Sequence, residues 1–422
     1  MKVLHAPMNF AMQPILIVEE LRKKGIDADH IQYGNGKHRF GFRLDKTYNF
    51  SDQWQALEDS LKKDYDIYHF WQRSLIFQPD TSFPTGLDLP IIKSRGKRII
   101  HRFTGFDLRL PKEDMQFNPH SPFKHNHEYP FDEERQREYI NFLKEYVDQF
   151  LVQDPELLQF MPEAKIIPRG LDLNEWKFVG IKKTDCPLVV HAPSNRSCKG
   201  SKFILRAVQE LQDEGLKFNF KAIENMSHTE AKAMYEKADI IVDQILIGAT
   251  GVLTLEGWAL GKPVVVYLRE DLFKPFYGEI PAANANPDNI KEVLSKLIKD
   301  YEWRHELSLK GRKAVEQFHN IKDITNQCLE LYETLITRDA VRPTNNNDIL
   351  FIRKRIDSYS TPKAYIKKTK SFIKRGLRKN LAIIKSMSTV RLCTVITKGI
   401  FPSFIYKLIR RFYRLASRKY RP

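Results

Sequence analysis

Through its first 340 residues the chain alternates short, β-branched apolar runs with stretches of helical period. A run of four to eight apolar residues must be covered on both faces, and a parallel sheet with crossover helices supplies that cover. KVLHA over residues 2–6 reads as a buried first strand. A helix over 14–24 follows, with Ile15, Val18 and Leu21 or Leu16 inward and Gly25 stopping it. DIYHFW (66–71), RIIHRF (98–103) and QFLVQD (149–154) read as further strands, the last preceded by a helix over 133–148. After an irregular stretch, 166–183, a second series begins. It has strands over 188–193, 217–223, 239–244 and 263–268, and helices over 201–214, 228–237, 251–260, 289–300, 302–318 and 324–337. The fold class expected is α/β: two doubly wound Rossmann-like domains facing a cleft, with ligands at the carboxyl ends of the strands. The domains are placed at 1–165 and 184–340, joined by a linker over 166–183 and followed by a tail, 341–422.

Charge separates that tail from the rest. Residues 341–422 carry 22 Lys and Arg against two acids, Asp348 and Asp357, so this segment holds +20. The whole chain is +17, which leaves the first 340 residues at −3. A basic appendage on a near-neutral body points to an anionic partner. On a helical wheel Phe401, Phe404, Ile405, Leu408, Ile409, Phe412, Leu415 and Ala416 share one side. Lys407, Arg410, Arg411, Arg414 and Arg418 share the other, with Tyr406 and Tyr413 between them. An aromatic-bearing apolar face opposite a basic one suits a helix lying in a membrane interface, so residues 401–420, from Phe401 to Tyr420, are expected to meet an anionic membrane surface. A helix packed on the body is the alternative. The tail has no zinc, helix-turn-helix or RNA-binding signature, and no nucleic-acid partner is expected.

The four cysteines, Cys186, Cys198, Cys328 and Cys393, form no CxxC pair and suit a reducing compartment. MKVLHAPMNF lacks the order of a signal peptide, and no apolar window is long enough to span a bilayer. The expected location is cytoplasmic, peripheral at the inner face of the plasma membrane.

Two segments carry the chemistry. In HAPSNRSCKG (191–200) a strand ends, a polar turn presents Arg196 and Lys199, and Gly200 opens a helix. Two cations beside helix amides suit a diphosphate; two solvated loop cations are the plainer reading. In GATGVLTLEGWALGKPVVV (248–266) a strand leads into a glycine turn, Gly248 to Gly251, and then a helix with Glu256 near its middle. The glycines admit a ligand close to the backbone, and a carboxylate accepts both hydroxyls of a ribose. Glu256 sits among Leu253, Leu255, Trp258, Ala259 and Leu260, so a charge there needs a partner. A Glu on the exposed stripe of an ordinary helix is the rival reading.

Together these segments resemble the retaining glycosyltransferases of the GT-B fold, group 1 (family 4) type, over residues 188–337 and more weakly over 1–154. The resemblance implies that Arg196 and Lys199 bind the donor diphosphate and that Glu256 holds the nucleotide ribose. The family's first Glu, which touches the donor sugar, falls at Gly248, leaving that contact to the backbone of Ala249, Thr250 and Gly251 or to another side chain. HRFTGFDLR (101–109) resembles the strand-end loop facing the donor sugar, which makes His101, Thr104, Gly105 and Asp107 candidates for the catalytic crevice. In APMNFAMQP (6–14), Asn9 and Gln13 are candidates for contact with acceptor or phosphate. IIPRGLDLNEW (166–176) resembles the interdomain linker, and the last helices resemble the segment that crosses back onto the first domain.

The activity this implies is transfer of a hexosyl or N-acetylhexosaminyl group, with retention, from a nucleotide diphosphate sugar to an envelope, lipid-linked or polysaccharide acceptor. Arg196, Lys199, His101 and Asp107 form the catalytic set. Glu256, Gly248, Thr250, Gly251, Thr104, Gly105 and Asn9 form the donor set. No cofactor and no metal are expected. The glycine at 248 also leaves a non-enzymatic alternative, a GT-B binding or scaffold protein in an envelope-assembly complex. An epimerase sharing the fold would call for carboxylates near the sugar, and no clear pair stands out.

Overall fold

The computed structural model describes residues 1–34, 44–77, 86–125 and 133–337. The expected tail, including the amphipathic stretch 401–420, lies outside the described residues, as do the last three residues of the expected second domain. Contacts divide the chain into two units. One comprises Met1–Tyr48, Trp54–Phe77 and Thr85–Thr344; the other comprises Asn49–Gln53, Gln78–Pro84 and Asn345–Pro422. Of the second unit only 49–53 are described, with one turn of 3-10 helix at Phe50–Asp52.

The first unit holds two sheets in which every pairing is parallel. The first contains β1 (Lys2–Ala6), β2 (Asp27–Tyr33), β3 (Lys46–Tyr48), β4 (Ile67–Trp71), β5 (Arg98–Arg102), β6 (Gln149–Val152) and β7 (Lys165–Ile166), in the order β3-β2-β1-β4-β5-β6-β7. The second contains β8 (Leu188–His191), β9 (Asn219–Ala222), β10 (Ile240–Val242), β11 (Val264–Val266) and β12 (Ala283–Asn284), in the order β12-β11-β10-β8-β9. Each order reverses once, between β1 and β4 in the first sheet and between β8 and β10 in the second. At such a switch point the connections leave in opposite directions and open a crevice beyond the strand ends, where α/β proteins bind ligands.

Helix boundaries follow local chemistry. The helix Gln13–Lys23 starts with Pro14 in its first turn and ends on Arg22 and Lys23. Ser201–Asp213 buries Ile204, Ala207, Val208 and Leu211 at helical spacing against the second sheet. Gly311, inside the helix Tyr301–Phe318, is there for close approach: a Cβ would lie 2.5 Å from Trp258 Cδ1.

The last described helix, Ile321–Thr337, packs on the helix Gln13–Lys23 and completes the core of the first sheet. Ile324, Cys328, Leu331, Tyr332 and Leu335 join Val3, Ile17, Ile67 and Trp71 in that core. Tyr332 also ends in a polar knot. Its hydroxyl lies 2.7 Å from His69 Nδ1 and 3.1 Å from His5 Nε2, while Trp71 Nε1 donates to His5 Nδ1 at 3.0 Å. Burial pushes the pKa of both imidazoles down, so they stay neutral and can accept hydrogen bonds.

Several elements have no counterpart in the apolar pattern. β2 reads DADHIQY, and Asp29 lies in it almost wholly buried. Its carboxylate accepts from Lys63 at 2.6 Å, Lys46 at 3.0 Å, Arg22 at 3.1 Å and the Tyr65 hydroxyl. These partners outweigh the cost of burial and hold Asp29 below the usual carboxylate range. The helices Gln53–Lys63, Asp88–Ser94, Pro111–Phe117 and Glu270–Tyr277, and the short strands β3, β7 and β12, are also additions.

Candidate functional site

The two chemistry-bearing segments meet at the β8/β10 switch point. At the end of β8, His191 is buried, with Nδ1 2.8 Å from the Val242 carbonyl and Nε2 2.8 Å from the Ser201 hydroxyl. A carbonyl only accepts, so Nδ1 carries the hydrogen and Nε2 accepts from Ser201. His191 thereby ties β10 to the start of the helix Ser201–Asp213. Past Pro193 the chain forms a one-turn helix, Arg196–Lys199, where the sequence suggests only a polar turn. Asn195 caps it by accepting from the Cys198 amide at 3.1 Å. Gly200, at φ +79°, ends that turn and starts the next helix.

The two cations leave this turn differently. Lys199 reaches Asp243, just past the end of β10, and pairs with its carboxylate. The same carboxylate accepts from the Thr254 hydroxyl at 2.6 Å and the Thr254 amide at 3.2 Å, so it caps the helix Val252–Ala259. Gly251 closes over this cluster, since a Cβ there would stand 2.1 Å from Asp243 Oδ2 and 3.0 Å from Lys199 Nζ. Lys199 and Gly251 are thus brought together, with a resident carboxylate between the ammonium and the helix start. Arg196 is more than half exposed and is gripped in a fork by Glu224, at 2.6 and 2.7 Å. Burial is slight there, and the Glu224 hydrogen bonds raise the guanidinium pKa.

The rest of the glycine turn is fixed by the linker and by the first sheet. Arg169 Nη2 lies 2.6 and 2.7 Å from the two Asp154 carboxylate oxygens, 2.9 Å from the Thr250 carbonyl and 2.5 Å from its hydroxyl. Thr250 in turn donates to Asp154 at 2.7 Å, and all three side chains are buried. Thr250 therefore serves as a tether point between the end of β6, the linker and the turn. Gly248, at φ +75°, lies against the stem of Arg269, whose Cγ would be 3.0 Å from a Cβ at this position. Arg269 continues to Gln159 and, at 2.9 Å, to Asp271. Glu256, on the buried face of its helix, does have the partner its charge needs: His228 Nε2, 2.7 Å from Oε1.

In the first sheet the candidates take mainly architectural places. His101 is fully buried, ringed by Phe103, Tyr139 and Phe150. Neither ring nitrogen has a hydrogen-bond partner among the described residues. Burial drives its pKa down to about 3, so it is a neutral core histidine and does not line a crevice. Asp107 folds back over its own loop and accepts from the amides of Thr104, at 2.9 and 3.1 Å, and Gly105, at 2.7 Å. Thr104 is further held by Gln72 through its hydroxyl and by Gln153, at 2.5 Å, through its carbonyl. A Cβ on Gly105 would sit 2.6 Å from Arg109 Nη1. Asn9 lies half-buried in the loop after β1. Gln13 is buried and exchanges two hydrogen bonds with Gly170 of the linker, at 2.8 and 2.9 Å.

Asp243, Asp154, Arg169, His228 and Glu224 were not singled out from sequence. Asp243 had the clearest signal, an acid closing the apolar strand DIIVDQ, where a charge implies a cation nearby. The others depend on pairings distant in the chain.

No protein-family model matches the chain, and no curated protein matches it by sequence. Solved structures do. The sucrose-phosphate synthase of Thermosynechococcus elongatus is 13% identical, with a TM-score of 0.55, over 79% of this chain and 99% of that one. HepE of Anabaena, in complex with UDP-glucose, is 11% identical with a TM-score of 0.50, over 79% and 100% of the two chains. An α-glucosyltransferase in complex with UDP and a 13-mer DNA is 10% identical with a TM-score of 0.50, over 80% and 99%. Identity this low carries the architecture alone. With its two parallel sheets and a last described helix returning to the first, the chain has the GT-B type of α/β fold.

Proposed function

We propose that this protein is a glycosyltransferase that moves a sugar from a nucleotide diphosphate sugar to an acceptor. The observation that carries the reading is the meeting of Lys199 with the glycine-started helix Val252–Ala259 at the β8/β10 switch point, the place where this fold class binds ligands. The difficult charge in the reaction develops on the leaving diphosphate. Lys199, Arg196 and the amides opening that helix offer positive potential there, and stabilising charge where it develops is the largest contribution most active sites make. Two exchanges accompany binding in this account. Arg196, itself more than half exposed and therefore weakly paired, leaves Glu224, and the diphosphate joins Asp243 on Lys199. Retention at the anomeric carbon, a hexosyl or N-acetylhexosaminyl donor and independence from metal belong to the same proposal. So does an envelope, lipid-linked or polysaccharide acceptor reached from an anionic membrane face. The basic residues of 341–422 support that location, and no described helix is long and apolar enough to cross a bilayer.

A thermal-shift panel of UDP, GDP, ADP and their sugars tests the donor reading. One nucleotide series should raise the melting temperature of the wild type and lose most of that effect in Lys199→Met and Arg196→Met. No shift with any of them, or an undiminished shift in both variants, rejects it. Flotation on phosphatidylserine vesicles, with and without residues 341–422, tests the membrane reading; equal binding rejects it.

A binding protein without transfer activity is favoured by one observation: Asp243 already neutralises Lys199 where a diphosphate would need it. Slow hydrolysis of the nucleotide sugar that binds, abolished in Lys199→Met, distinguishes the enzyme from the binder.

A further inference from the structure

The Glu256 carboxylate is nearly inaccessible, with 7% of its side chain exposed, whereas the His228 ring bound to it is 34% exposed. The contact joins two elements of the second sheet's domain: the helix Val252–Ala259 and the first turn of the helix His228–Lys237. His228 is fixed from several sides. Ser227 and Glu230 form a capping box around it, with the Ser227 amide and hydroxyl 2.8 and 2.7 Å from Glu230 Oε2, and the Trp176 ring meets it edge-on at 5.6 Å. His228 Nε2 meets Glu256 Oε1, and no hydrogen bond to Oε2 forms among the described residues. A ribose diol needs acceptor lone pairs, and a carboxylate whose second oxygen remains open still provides them.

We propose that His228 is a donor-positioning residue: as imidazolium it clamps one oxygen of Glu256 and turns the other toward the ribose, so that nucleotide sugar binds the protonated form. This rests on the donor reading above and adds a proton to it. Glu256 faces the imidazole from the neighbouring helix, Glu175 from the linker and Lys232 from its own helix, while Asp243 and Lys199 stand behind Glu256. Burial is the largest single influence and works against a charged ring, but the hydrogen bond and the charge of Glu256, with Glu175 beyond, together outweigh it and raise the imidazole pKa above the ordinary value. Loss of the proton at alkaline pH replaces an ion-paired bond with a weaker one from an uncharged ring and removes a cation from a site that takes an anion. The clamp then holds Glu256 less firmly, and the apparent affinity falls with the fraction of protein still protonated.

The test is calorimetric titration of the full chain with UDP-glucose, GDP-glucose and ADP-glucose between pH 6.5 and 9. These sugar diphosphates have no terminal phosphate to titrate in that range. Wild-type affinity for whichever sugar nucleotide binds should weaken at least about tenfold across it. His228→Gln should bind weakly and evenly at all pH values. His228→Lys keeps a cation that does not titrate there, and should bind as wild type does at pH 6.5 and hold that affinity at pH 9. Circular dichroism melts of both variants establish that they fold. A His228→Gln variant with wild-type affinity and pH profile overturns the inference and leaves the donor reading standing. Failure of the wild type to bind any of the three removes both.

Discussion

Replacing Arg169 by Met tests how the glycine turn is held. Its guanidinium is almost wholly buried and serves both oxygens of Asp154 together with the carbonyl and hydroxyl of Thr250. Methionine fills comparable space with no donor. Asp154, itself buried, would keep only the Thr250 hydroxyl, and the Thr250 carbonyl would lose its donor. Removing one partner of a buried ion pair costs about 3–5 kcal/mol, because the remaining charge is stranded. A buried carbonyl left without a donor adds roughly 1 kcal/mol or more. The sum, about 4–6 kcal/mol, is a large share of the roughly 5–15 kcal/mol available to a folded protein. At roughly 2 °C per kcal/mol for a body of this size, the melting temperature should drop by about 8–12 °C. Differential scanning calorimetry at neutral pH reads this directly. The double variant Arg169→Met/Asp154→Asn removes the stranded charge and should recover more than half the loss. A drop under about 2 °C in the single variant, or no recovery in the double, would refute the reasoning.

His101→Leu should stabilise the fold, since two ring nitrogens without partners are replaced by an apolar side chain. The gain should also grow with acidity. The folded pKa, about 3, lies below the unfolded value near 6.5, so the unfolded wild type takes up a proton first and the wild type loses stability as pH falls, a loss the variant escapes. Denaturant melts should show the variant's advantage larger by about 2 kcal/mol at pH 5 than at pH 7.5; an equal advantage contradicts the buried, neutral assignment. Gly311→Ala gains about 1 kcal/mol of helix propensity, yet its methyl meets Trp258 at 2.5 Å, and overpacking costs about 1–3 kcal/mol. A lower melting temperature is expected, and a more stable variant would show that the two helices have room to part.

The parallel architecture was legible because β1, β4, β5, β8, β10 and β11 are short apolar runs with helical stretches between them, a pattern that one sequence displays without help. β2 was not, because DADHIQY hides its burial behind an acid neutralised by Lys46 and Lys63, residues far along the chain. The helix Glu270–Tyr277 was masked by Pro275, a helix breaker by local chemistry that nonetheless stands inside it. Among candidate site residues, Lys199 and Gly251 meet because turn chemistry at strand ends is local, and Glu256 has the partner its buried charge requires. His101 illustrates the opposite case. A histidine at a strand end can point along either face, and period-two alternation does not say which face is packed against Phe103 and Phe150. Thr250 ties its turn to Arg169 and Asp154, and Asp107 holds its own loop together, roles that spacing alone does not separate from ligand contact.

The central claim is that Lys199 and the helix Val252–Ala259 form one pyrophosphate site. A crystal structure of the full chain with UDP measures it most directly. The account predicts the β-phosphate beside Lys199 Nζ, at the amides that open this helix, with the ribose diol on Glu256. A nucleotide bound elsewhere, with the Lys199–Asp243 pair and the Glu256 carboxylate untouched, would contradict it.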